Sequence, residues 1–201
     1  MATALKLPRT LDEFLEWERR QEEKWEFSDG RLRLMAGGTG DHAQIAANIL
    51  IALGPRLRGS GCQVFGSDLK LLVRAMGKSY YPDVMVRCGR PVGQEDTVED
   101  PVVLFEVLSK GTAEYDLTTK RKAYETVPNL KMFAFVSQLR PHVLLYFRDE
   151  TGRWQDVEVE GLGETLRLDA IGAELSLAEI YEDTTVVQAS EETDPAAPPA
   201  R

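Results

Sequence analysis

Cysteine and histidine are scarce: Cys62, Cys88, His42 and His142 are the only ones in 201 residues. Two cysteines that far apart match neither a zinc knuckle nor a disulfide framework. Both lie in or beside apolar runs, which reads as reduced packing residues. The chain also lacks a basic N-terminal region followed by an apolar stretch, and it has no run of about 18 apolar residues. These absences exclude a transmembrane role, with no membrane partner, and predict a cytoplasmic protein. Gly37-Gly38-Thr39-Gly40 has neither the downstream lysine nor the preceding apolar strand of a phosphate loop, so it reads as a flexible connection and no organic cofactor is implied.

Positive charge is in short supply as well. Lys and Arg number 24 against 33 Asp and Glu, a formal net charge of −9. That balance is awkward for a nucleic-acid enzyme, because affinity for nucleic acid comes largely from neutralised phosphates. Part of the excess is local: Glu182, Asp183, Glu191, Glu192 and Asp194 stand against Arg201 near the C-terminus.

What remains is ordinary for a globular domain, with 43% hydrophobic and 28% charged residues. A single domain over 1–183 is expected, followed by a disordered, acidic, Pro/Ala-rich tail over 184–201. Thr10 and Glu13 have the form of a capping box, and Leu11, Phe14 and Leu15 continue it into a helix over 11–23. Asp29-Gly30 separates two alternating segments, a hairpin signal that puts Glu26 on a strand. Asp41 can cap a long helix striped by Ile45, Ile49, Leu53 and Leu57. Strands are predicted near 62–66, 69–74, 80–86, 102–108, 131–137 and 142–147, with a hairpin turn at 149–152. Helices are predicted over 115–126, closed by Pro128, and over 177–181.

Chemistry is signalled by an acid pair on two consecutive strands. Pro82-Asp83 alone is a common strand-entry dipeptide. Glu106, however, interrupts the apolar run Val102 to Leu108, and a buried carboxylate there needs compensation by a cation or by a basic partner. His42 and His142 are not read as ligands: the first falls in a first helical turn, where bonding to a loop is the commoner fate, and the second begins a strand.

Pro82-Asp83 followed by Glu106-Val107-Leu108 resembles the PD-(D/E)xK nuclease signature. The order of Trp25-Glu26-Phe27-Ser28-Asp29-Gly30, Asp41-His42 to Asn48, Phe105 to Ser109 and Tyr115 to Tyr124 resembles the Uma-two family within that superfamily. The resemblance spans residues 8–181. It implies an α/β fold, a restriction-endonuclease-like central mixed β-sheet flanked by helices, here with an N-terminal helix and hairpin. It further implies a DNA endonuclease using Mg²⁺ or Mn²⁺, held by Asp83, Glu106 and the Val107 carbonyl, and working as a homodimer.

The in-strand lysine of that signature is missing, because period-2 alternation puts Leu108 on the face of Glu106. The resemblance transfers its role to Lys120, which shares a helical face with Asp116 and Tyr124. Lys110 is a rival just beyond the strand. Glu26 is a further candidate for the site, and Asp68 another. A catalytically degenerate module of the same fold, binding nucleic acid or a protein partner, is the competing reading, motivated by Leu108 and by the acidic charge.

Overall fold

The computed structural model describes residues 7–35 and 37–187. It opens with α1 (Leu11–Glu18), whose cap Thr10 accepts a hydrogen bond from the Glu13 amide. The helix is shorter than the expected 11–23. After Trp17 the chain offers only charged and polar residues before Trp25, and Glu18 turns its carboxylate inward to the Trp25 amide and the Tyr81 hydroxyl. Asp29 and Gly30, at φ 52° and 72°, join β1 (Trp25–Ser28) to β2 (Arg31–Leu34), the left-handed pair that a two-residue hairpin turn requires.

Next comes α2 (Gly40–Arg56), with Ile45, Ile49 and Leu53 buried. Its cap is Thr39 rather than Asp41: the Thr39 side chain accepts from the His42 amide at 3.2 Å, and Asp41 is left to accept from Thr185. β3 (Cys62–Gly66) and β4 (Lys70–Val73) follow. The single strand expected over 80–86 is instead two, β5 (Lys78–Tyr80) and β6 (Val84–Cys88), and they belong to different sheets. Pro82 has no amide hydrogen to give a ladder, and the break falls around it.

The remainder comprises β7 (Thr97–Val98), β8 (Val103–Leu108), α3 (Ala113–Tyr115), a π-helical turn at Asp116–Lys120, α4 (Arg121–Tyr124), β9 (Met132–Ser137), β10 (His142–Arg148), β11 (Trp154–Glu160), β12 (Thr165–Leu168), β13 (Ala173–Ser176) and α5 (Leu177–Tyr181). Six strands form the central sheet in the order β11-β10-β9-β8-β6-β3. It is mixed, because β8 and β9 run parallel while its other neighbours are antiparallel. A second sheet has the order β2-β1-β5-β4-β7, and β12 and β13 pair as a hairpin.

Alternation along β8 sorts the core into layers. Val103, Phe105 and Val107 pack with Ile45, Ile49 and Leu53 of α2 and with Leu175 and Ile180. Leu104 faces the other way, into a layer with Tyr80, Tyr124, Phe133 and Phe135. Glu106 shares the Leu104 face, so its carboxylate enters that second layer.

One further expectation needs correction. Cys62 and Cys88 are not reduced packing residues: they are cross-strand partners in the β3–β6 ladder, with Cα atoms 3.9 Å apart, and form a disulfide. Twenty-six residues separate them in sequence, but strand register sets them side by side. The packed chain also continues past 184, since Thr184 is buried and Val186 joins the α2 cluster. The rest of the expected tail, 188–201, lies outside the described residues. Among the described residues no helix is long and apolar enough to cross a membrane.

Candidate active site

The acids and the lysine singled out in the sequence meet at the floor of one cleft of about 700 Å³. Its walls come from both large sheets, the segment before α2 and the π turn. Extending the β6–β8 register by one step beyond Val84↔Phe105 sets Asp83 opposite Glu106. One step further, Pro82 stands opposite Val107 and has no amide hydrogen to offer the Val107 carbonyl. The Val107 amide, in turn, donates to Asp83 Oδ2 at 2.7 Å. The Val107 carbonyl thus has no ladder donor in Pro82, while the Val107 amide is served by the Asp83 side chain.

Lys120 is the centre of the floor. Its Nζ lies 2.9 Å from Glu26 Oε1, 3.0 Å from Glu106 Oε1 and 3.5 Å from Asp116 Oδ1. All four side chains are buried. The helical spacing of Asp116, Lys120 and Tyr124 is realised through the π turn, and the Tyr124 hydroxyl donates to Glu106 Oε1. Both hydrogen bonds to Glu106 therefore end on the same oxygen. Glu26 crosses from the second sheet and also accepts from the Tyr81 amide at 3.2 Å. The Tyr80 ring lies under the ammonium, 5.6 Å from its centroid to Nζ.

Charge on this floor is unbalanced, with Asp83, Glu106, Glu26 and Asp116 set against one ammonium. Burial pushes the Glu106 carboxyl well above its ordinary range; Lys120 pulls the other way, while Asp116, Asp83 and Glu26 add to the rise. Burial opposes the charge on Lys120, but Glu106, Glu26 and Asp116 together outweigh it and hold the ammonium charged. Burial also raises Tyr124, so its hydroxyl remains a donor.

His42 joins the site, which the sequence did not suggest. Its Nε2 is 3.1 Å from Asp83 Oδ1, and that hydrogen bond raises the imidazole pKa against burial. Nδ1 is buried without a hydrogen-bond partner among the described residues. The ring is seated by Gly38: a Cβ there would come within 2.7 Å of His42 Cγ and Cδ2. The glycine segment is therefore a close-approach site for the imidazole as well as a connection.

Other candidates lie elsewhere. Asp68 is exposed and pairs with Lys24. Lys110 lines the cleft but is exposed at its edge, and Leu108 packs against the second-layer core. His142 pairs with Glu158 on β11.

Known proteins with the same organisation follow from sequence and fold. The family described as "Uma2: Putative restriction endonuclease" matches residues 11–179. The chain is 31% identical to the uncharacterized protein slr1290 of Synechocystis sp., over 85% of this chain and 90% of that one. It is 28% identical to the uncharacterized protein sll1609 of the same organism, over 76% and 88%. Its fold matches the crystal structure of a putative nuclease belonging to DUF820 from Anabaena variabilis with a TM-score of 0.72, over 87% of this chain and 98% of that one, at 16% identity. The chain belongs to the Uma2 family.

Proposed function

We propose that the protein is a metal-dependent nuclease that hydrolyses phosphodiester bonds of DNA, with Asp83 and Glu106 as the metal-holding carboxylates. The observation that carries this reading is the placement of Asp83 opposite Glu106 at the floor of a cleft, with Lys120 Nζ 3.0 Å from Glu106.

The donor set suits Mg²⁺ or Mn²⁺ and not a closed protein cage. Among the described residues no three His, Cys, Asp or Glu side chains are arranged to hold a metal by themselves. Mg²⁺ needs less, one or two carboxylates plus waters and substrate phosphates. Asp83, Glu106 and the Val107 carbonyl supply that much, and the surplus of negative charge around Lys120 calls for a cation. When bound, the ion would polarise the phosphoryl oxygen and lower the pKa of water.

The protein's own groups do the positioning. His42 and the Val107 amide fix the two oxygens of Asp83. Tyr124 and Lys120 fix Glu106 through Oε1, and among the described residues its other oxygen is left to meet a cation. Glu26 and Asp116 hold the Lys120 ammonium at the cleft floor, where it stabilises negative charge developing on the phosphate, the role the missing in-strand lysine would have had.

A second reading is a binding module without turnover, favoured by the engagement of Lys120 with three acids. Incubation of labelled DNA with Mn²⁺ separates the two. Cleavage by the parent protein, lost in Asp83→Ala and in Glu106→Ala, supports the nuclease; equal activity of all three proteins removes these acids from the mechanism.

A further inference from the structure

The mouth of the cleft is chemically unlike its floor. Leu34 and Leu139 line it and are 46% and 64% exposed. Large exposed hydrophobic residues are few among the described residues, and two of them meet at this opening. Arg33 and Lys110 line the same opening. The Arg33 guanidinium rests 4.0 Å from the centroid of the Tyr115 ring, so its charge is already placed at the mouth.

We propose that this cleft takes a single-stranded segment of DNA, with unpaired bases against Leu34 and Leu139 and phosphates on Arg33 and Lys110; the inference rests on the phosphodiester-cleaving reading of the same site. The exposed leucines and the size of the cleft lead there. In a duplex the base faces are hidden in the stack, and apolar side chains reach them only by unstacking a step. An unpaired base can lie on an exposed leucine at no such cost. A cavity of about 700 Å³ has the size of a site for small molecules, and suits a nucleotide or two better than a double helix.

Electrostatics points the same way. Among the described residues the cations lining the cleft are Arg33, Lys110 and Lys120, and Lys120 is engaged by Glu26, Glu106 and Asp116. That leaves Lys120 at the floor for the scissile phosphate alone, and two cations at the mouth for the flanking phosphates, in a chain of net charge −9. Neutralising two phosphates of a single strand predicts a shallow salt dependence, with log K falling against log salt with a slope of about −1.4. Duplex-binding proteins that make many more phosphate contacts depend on salt far more steeply.

The test is fluorescence anisotropy with a short labelled oligodeoxynucleotide, single-stranded or as a hairpin duplex of the same sequence, alongside Mn²⁺-dependent cleavage of both. The single strand is expected to bind about tenfold more tightly than the duplex, and Leu34→Glu and Leu139→Glu each to weaken it about tenfold. Both leucines are exposed, and thermal melts verify that the variants fold. Equal or tighter binding of duplex overturns the inference, while cleavage of that duplex leaves the nuclease reading standing. Leucine-dependent binding of the single strand without cleavage keeps the inference and removes the nuclease reading. Unchanged DNA binding by the leucine variants, with a change in their oligomeric state, assigns the apolar mouth to a protein contact and also overturns it.

Discussion

His42 Nε2 lies 3.1 Å from Asp83 Oδ1, joining the first turn of α2 to the strand entry that carries the acid. The hydrogen bond that the imidazole donates to Asp83 raises its pKa above the ordinary value of 6.5 against the effect of burial. A raised folded value means that the pair's contribution to stability is complete below the unfolded pKa and lost as pH rises through the folded one. NMR titration of the metal-free protein should place the His42 midpoint above 6.5, and Asp83→Asn should lower it. A midpoint indifferent to Asp83→Asn would break the pairing.

Gly38→Ala tests the seat of that ring. The added methyl would stand 2.7 Å from two ring carbons, closer than side chains approach one another. His42 must move, so its titration midpoint is expected to fall toward the value seen in Asp83→Asn. Circular dichroism should stay that of the parent, because the residue precedes the helix. An unshifted midpoint means that the loop yields and the imidazole does not depend on it.

Much of this arrangement was legible in the sequence where a local rule governs it. Asp29-Gly30 specified its hairpin, the stripe from Ile45 to Leu53 specified α2, and Glu106 stood out because a carboxylate inside an apolar strand needs a reason. The spacing of Asp116, Lys120 and Tyr124 brought the right three side chains to one face. The misses are long-range. No local pattern ties His42 to Asp83 or Cys62 to Cys88, since strand register and layer packing bring each pair together. Pro82 carried a usable signal for the split of the 80–86 strand, because a residue without an amide hydrogen marks a break in a ladder. The π turn had no such signal.

Lys120 holds the floor together electrostatically. Lys120→Met leaves Glu26, Glu106 and Asp116 buried and uncompensated, and breaking a buried ion pair in this way costs about 3–5 kcal/mol. Urea unfolding in the presence of a chelator should show that loss, and it should shrink as the pH falls and the carboxyls take up protons. Adding Glu26→Gln to Lys120→Met should cost less than the two single changes summed, since one orphaned charge is removed. Full additivity would mean that Glu26 and Lys120 do not interact.

The Cys62–Cys88 pair at the edge of the central sheet closes a 26-residue separation. Under denaturing, non-reducing conditions neither cysteine should alkylate, and both should after reduction. Cys62→Ser is expected to lower stability by about 3 kcal/mol, from the chain entropy returned to the unfolded state. Two freely alkylating thiols in the untreated protein would restore the packing-residue reading.

The central claim is that Asp83 and Glu106 hold a divalent cation, and a crystal grown with Mn²⁺ tests it most directly. The account predicts an anomalous difference peak at about 2.1 Å from a carboxylate oxygen of each residue, absent in Asp83→Asn. A peak that persists in Asp83→Asn, or one bound only to other acids while the Lys120 ammonium stays between Glu26 and Glu106, would contradict it.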